Sequence, residues 1–229
     1  MNNISIVVPL FNESENINKL INEIINTVEK QFNYEIILVN DCSSDDTFKI
    51  LEKLIKNKKI KIINNERNFG QSKSIHNGVK QSLHNNIITI DGDGQNNPKD
   101  ILNLAKVFFN ENIQLVSGIR TKRKDKFIKI ISSKIANYVR SLILKDNCPD
   151  TGCGLKIFKK DIFLNFDYFN GMHRFIPALF VLNDYNVKYV PVDHRYREFG
   201  ISKYGTFDRL TKGLQDLIKV RKILKKKNK

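Results

Sequence analysis

The stretch "ISIVVPLFNESENINKLINEIINTVEKQFNYEIILVND", residues 4–41, changes period twice. Ile4 to Leu10 is a short β-branched run ending in proline and leucine. Residues 15–30 then space Ile17, Leu20, Ile21, Ile24, Ile25 and Val28 at helical intervals. Residues 34–41 return to a β-branched apolar run. Strand, helix and strand joined over this length form a parallel crossover unit, because two parallel strands need a long connection.

The unit repeats along the N-terminal half. Residues 44–57 predict a helix that Ser44 or Asp45 can cap, and residues 60–65 a strand leading into a helix over 72–83. Residues 86–93 predict a strand followed by a helix over 98–110. Successive units of this kind predict an α/β fold, a mostly parallel central sheet flanked by helices on both faces. Residues 113–120 add a strand, and 154–160 and 185–197 look like further ones. Between them, residues 124–145 set Phe127, Ile131, Ile135, Val139 and Leu142 on one helical face with Lys126, Lys129, Lys134 and Arg140 interspersed. A last helix is expected from about residue 207 to 224. His76 and His84 are expected at the surface.

The chain has 229 residues, 41% of them hydrophobic, enough for one substantial core. Its formal net charge of +15 attracts nucleic acid, anionic lipid headgroups or phosphorylated substrates, and composition alone does not choose among them. The basic residues concentrate in 120–134 and 219–229. The longest apolar run, residues 175–182, falls far short of the roughly 20 residues a spanning helix needs. No membrane crossing is expected, though the chain can lie on a surface. Three cysteines form no disulfide pattern and fit a reducing cytosol.

In open α/β sheets, ligands bind beyond the carboxyl ends of the strands. Those ends read "PLFNE", "NDCSSDD", "NNERNFGQ", "DGDGQ" and "SGIR", so their polar side chains should meet at one edge. Asp91 and Asp93 repel one another unless a cation neutralises them, and a hard divalent ion with oxygen ligands does so. Gln95 adds a neutral oxygen at the same alternation. A turn ahead of Pro98, with Asp and Gly present for its geometry, accounts for the same residues. An EF-hand loop does not, because Asn96 and Leu102 stand where it needs Gly and Glu. A dinucleotide fingerprint fails too, since no glycines follow the first strand. A divalent ion among cationic side chains suits a substrate with two phosphates.

The segments "SIVVPLFNESENI", "ILVNDCSSDDT", "NERNFGQSKSIHNGV" and "IDGDGQNNPKDI", with "DTGCGLKIFKK" and "HRYREFGISKYG" further on, resemble family 2 glycosyltransferases of the GT-A fold. Within them the chain is most similar to polyprenyl-phosphate (dolichyl-phosphate type) sugar transferases. The resemblance implies a Rossmann-like nucleotide-sugar-binding fold in one catalytic domain, residues 1–206, followed by a basic helix and tail, 207–229. It implies that Asp91, Asp93 and Gln95 surround Mg²⁺ or Mn²⁺ and the donor diphosphate. Pro9, Glu13 and Asp41 would line the base and ribose. Arg120 and Lys134 would meet phosphates, and Arg197, Ser202 and Lys203 would close over the diphosphate or the acceptor phosphate. Asn40, Cys42, Gly92 and Gly94 depart from the family's usual residues, which bears on donor identity more than on fold.

The implied reaction is inverting transfer from a GDP- or UDP-linked sugar to a polyprenyl phosphate, which is already anionic and needs no base. A saccharide or other hydroxyl acceptor would need a carboxylate as general base, and Asp150 is the candidate; organising a loop beside the site is its competing role. A nucleic-acid-binding module explains the charge but not the ordered aspartate motifs, so no nucleic-acid partner is expected. The expected location is the cytoplasm, at the inner face of the membrane, through an anionic lipid surface or a membrane partner.

Overall fold

The computed structural model describes residues 1–121, 140, 141, 144 and 146–199. The elements follow the periodicity closely: β1 (Asn2–Leu10), α1 (Ser14–Val28), β2 (Phe32–Asn40), α2 (Thr47–Leu54), β3 (Ile60–Asn64), α3 (Gln71–Lys80), β4 (Asn86–Thr89), α4 (Asp100–Asn110) and β5 (Leu115–Arg120). The C-terminal part adds β6 (Lys156–Lys159), α5 (Lys160–Leu164), a 3-10 turn (Met172–Arg174), α6 (Ile176–Val181) and β7 (Val187–Val192).

The described strands form one sheet in the order β3-β2-β1-β4-β6-β5-β7. Every neighbouring pair is parallel except those made by β6, which runs antiparallel to β4 and to β5. Ile4, Ile6, Val7 and Val8 of β1 are all fully buried, because helices cover both faces of a central parallel strand and leave no side to polar alternation. One apolar layer joins α1, α2 and α4 to the sheet through Ile17, Ile24, Leu51 and Leu104. The other joins α3, α5 and α6 through Ile75, Val79, Phe163 and Phe180. The mostly parallel, doubly covered sheet is the architecture expected from the crossover units.

Register brings the chemistry to one edge. Leu10 pairs with Asn40 and Asn40 with Asn64, so β1, β2 and β3 end level, while Val7 pairs with Thr89. Continuing that last register sets Asp91 beside Pro9.

Some local expectations change. α2 begins at Thr47 rather than Ser44, and Asp45 accepts the Thr47 N–H at 3.0 Å from two residues upstream. Its other oxygen accepts the Ser14 N–H at 3.2 Å, which spends the carboxylate on joining two loops. His76 is half-buried rather than fully exposed: its ring packs edge-on to Tyr168 at 5.2 Å and beside Phe163, where burial lowers its pKa. His84 is half-buried. Most of the amphipathic stretch 124–145, the last helix and the domain boundary at 206 lie outside the described residues.

Candidate active site

Asp91 leaves the end of β4 under close confinement. The Gln71 amide, at the first position of α3, donates to its Oδ1 at 2.7 Å. Opposite, the Gly154 α-carbon abuts the carboxyl so closely that any β-carbon there would overlap it. Burial and the neighbouring Asp93 push the Asp91 carboxyl up to about 6, against the pull of Lys156, Arg120 and the Gln71 amide. The intervening glycines have separate reasons. A β-carbon on Gly92 would come within 2.5 Å of Leu10 Cδ2, and Gly94 sits at φ +72°, where glycine carries no steric cost.

Asp93 turns the other way. Its Oδ1 accepts the Gln95 N–H at 3.1 Å, and Arg197 Nη1 lies 3.8 Å from Oδ2. Arg197 also donates from Nη2 to Glu13 Oε1 at 2.7 Å, so one guanidinium bridges the β1 loop and the aspartate turn. Glu13 is positioned from below, its other oxygen accepting from Asn16 at 2.9 Å. Gln95 is fixed by exchange with the chain after β7: its Nε2 donates to Arg195 O at 3.3 Å and its own carbonyl accepts the Arg195 N–H at 2.8 Å. The amide oxygen is the atom this leaves for a cation.

Asp41, at the end of β2, holds the loop before α3. Its Oδ1 accepts from Asn65 Nδ2 at 2.7 Å and Phe69 N at 3.0 Å, and its Oδ2 from Gly70 N at 2.8 Å. Arg120, at the end of β5, makes a bidentate pair with Asp150, Nε and Nη2 each at 2.7 Å from an oxygen. Burial works against the Arg120 charge, yet the Asp150 bonds hold it protonated beyond the ordinary arginine range. Backbone N–H groups of Arg120 and Gly152 donate to the same carboxylate at 3.1 and 3.2 Å.

Arg197 thus joins Glu13 to Asp93 and the Gln95 turn, Asp41 holds the loop whose next residue, Gln71, donates to Asp91, and Arg120 and Asp150 form a separate pair, while Pro9 is placed by strand register alone. Lys134, Ser202 and Lys203 lie outside the described residues. Among the described residues, no three His, Cys, Asp or Glu side chains converge as a metal cage. Two crowded carboxylates and an amide oxygen fit a hard ion that takes its remaining ligands from phosphate and water, as Mg²⁺ and Mn²⁺ do in nucleotide sites. A cation there would offset both the burial and the Asp93 repulsion that push the Asp91 carboxyl up.

The model of Glycosyl transferase family 2 matches residues 5–166, well over half of the chain. The chain belongs to glycosyl transferase family 2. Over 223 residues it is 34% identical to the dodecaprenyl-phosphate galacturonate synthase of Rhizobium johnstonii, covering 95% of this chain and 66% of that protein. It is 32% identical over 222 residues to the undecaprenyl-phosphate 4-deoxy-4-formamido-L-arabinose transferase of Proteus mirabilis, covering 95% and 67%. The chain therefore spans about two-thirds of these relatives' length. The glucosyl-3-phosphoglycerate synthase of Mycobacterium tuberculosis, solved with Mn²⁺, uridine diphosphate and glucosyl-3-phosphoglycerate, shares the fold at a TM-score of 0.69. That likeness covers 95% of this chain and 77% of the other at 16% identity.

In this family 2 chain, three site neighbours escape sequence reasoning. Gln71 stands in "NNERNFGQ", a strand end expected to carry chemistry, but nothing in the spacing tells that its amide reaches Asp91. Arg195 was visible only as one of several cations near residue 197. Lys156 had a clearer signal, a lysine set between Leu155, Ile157 and Phe158 in a strand whose neighbours are all core residues.

Proposed function

We propose that the protein is an inverting, metal-dependent glycosyltransferase that moves a sugar from a nucleotide diphosphate to a polyprenyl phosphate. The observation that carries this reading is the Asp150–Arg120 pair beside Asp91. The carboxylate named as a possible base for a hydroxyl acceptor is held by both arms of a guanidinium and by two backbone N–H groups. A phosphate acceptor needs no base, and the names of both relatives specify a polyprenyl phosphate. Asp150 then positions Arg120.

The donor diphosphate would lie over the aspartate turn, the base and ribose between Pro9, Glu13 and the loop that Asp41 holds. Asp91, Asp93 and Gln95 would hold the divalent ion, which would screen the departing charge. Arg197 is set to move from Glu13 and Asp93 onto the diphosphate, and Arg120, fixed by Asp150, faces the phosphates from the β5 side. A phosphate oxygen of the acceptor attacks the anomeric carbon from the face opposite the leaving group. The anomeric carbon–oxygen bond to the nucleotide breaks, and its electron pair leaves on the β-phosphate. No proton moves. Ser202 and Lys203 would close the site, with Lys134 on the acceptor phosphate, and the basic segments would hold the protein at an anionic membrane face.

The test is a screen of UDP- and GDP-sugars for thermal stabilisation that requires Mg²⁺ or Mn²⁺, followed by transfer to a short-chain polyprenyl phosphate. Metal-dependent stabilisation and transfer to the lipid phosphate are expected. Good transfer to saccharides with none to the lipid phosphate overturns the acceptor assignment.

A further inference from the structure

Lys156 is 3% exposed in the middle of the molecule, on β6. Leu155 and Ile157 belong to the layer under α1 and α4, so Lys156 shares the opposite face with Phe158. A buried ammonium loses its hydration and is retained where other charges or dipoles offset that loss. Its bond is to a backbone group: Nζ donates to Cys153 O.

Sheet register puts this cation one row beneath Asp91. Lys156 pairs with Thr89 across β4 and β6, and the Thr89 hydroxyl donates to Gly154 O at 2.8 Å. Gly154 in turn abuts the Asp91 carboxyl. Strand residues two apart are separated by about 7 Å, a span that a lysine chain covers. Among the groups that favour the Asp91 charge, Lys156 exerts the largest pull, ahead of Arg120 and Gln71.

Around the aspartate pair, the carboxylates of Asp91, Asp93, Glu13 and Asp150 therefore meet the cations of Arg197, Arg120 and Lys156. A divalent ion arriving alone finds most of the negative charge already balanced. One arriving on a diphosphate brings its own counter-charge. Arg197 sits on the loop after β7 with its side chain 19% exposed, whereas Lys156 is buried within the sheet.

We propose that Lys156 is a positioning residue whose buried charge makes divalent-metal binding at Asp91 and Asp93 conditional on the nucleotide diphosphate. This rests on the donor-site reading above. Metal and diphosphate then bind with positive coupling, which is reciprocal by linkage.

The experiment measures free Mn²⁺ by electron paramagnetic resonance over the full chain at about pH 8.5, above the Asp91 range, with and without UDP or GDP. In the wild type, Mn²⁺ alone binds weakly and either diphosphate tightens it by about tenfold or more. Lys156→Gln keeps a donor for Cys153 O and removes the charge; Mn²⁺ alone should bind about fivefold tighter, and the gain from nucleotide should shrink. Lys156→Arg keeps the charge and should keep the coupling. A merely structural lysine would leave metal affinity unchanged or lower it. A melting curve checks that each variant is folded, and if the glutamine variant is not, Lys156→Met, uncharged and of similar length, takes its place with the same expected outcome. Equal Mn²⁺ affinity with and without nucleotide, or a folded Lys156→Gln with unchanged or weaker Mn²⁺ binding, overturns the inference. If Mn²⁺ binds with neither UDP nor GDP, the donor reading fails and this inference with it.

Discussion

Asp91 carries its charge against its surroundings, since burial and Asp93 push the carboxyl up to about 6. The folded form therefore takes up a proton more readily than the unfolded chain. Stability contributed by this group is full below the ordinary carboxylate range and is lost as the pH rises through about 6. Asp91→Asn keeps the acceptor for Gln71 and removes the charge, so the metal-free variant should melt higher at pH 7.5, by on the order of 1–2 kcal/mol. That advantage should fade toward pH 4, and metal-dependent stabilisation by nucleotide should disappear. A variant no more stable than wild type at pH 7.5 would show that Asp91 is not strained. Gly154→Ala tests the same carboxylate from the other side. Its methyl would displace Asp91, and transfer should fall by about tenfold to a hundredfold with the fold retained, read as kcat/KM beside a melting curve. The aspartate pair itself was legible in "DGDGQ", but Gly154 was not, because its partner lies on another strand.

Among the elements, the loop from Asn65 to Gly70 has the plainest dependence on a single side chain. Asp41 accepts two backbone N–H groups and an asparagine amide there, and Gly70 O then accepts the first N–H bonds of α3. Asp41→Asn turns one of those acceptors into a donor facing a donor. The expected loss is about 1–3 kcal/mol, with faster hydrogen exchange at the Phe69 and Gly70 amides than elsewhere in the sheet. Uniform exchange across the chain would contradict this local role. The same scale shows what periodicity conveys. The strands and helices from β1 to α4 were readable because a parallel sheet covered on both faces imposes continuous apolar runs and clean helical stripes. The start of α2 was not, since Asp45 serves two loops at once and its second partner, Ser14, is distant in sequence.

At the scale of the whole molecule, β6 is the feature that sequence could not place. Its apolar pattern marks a strand, but inserting it reversed between β4 and β5 depends on a long connection whose periodicity says nothing of where the chain re-enters. That reversal brings Gly154 and Lys156 beside β4, with Asp150 on the loop leading in, so these contributions to the site follow from topology rather than from local sequence. The remaining global property is charge. The net +15 is concentrated in 120–134 and 219–229, mostly outside the described residues, and among the described residues no helix is long and apolar enough to cross a membrane. Basic residues near an anionic surface each contribute about 1 kcal/mol, attraction that dies away beyond a Debye length of about 8 Å at physiological salt. The protein should therefore sediment with phosphatidylglycerol vesicles in dilute buffer and not with phosphatidylcholine. It should be released as NaCl approaches about 0.5 M, because screening then confines each charge to its immediate neighbours. Binding that persists at high salt, or that is equal on neutral vesicles, would assign the membrane contact to apolar insertion rather than to these basic segments.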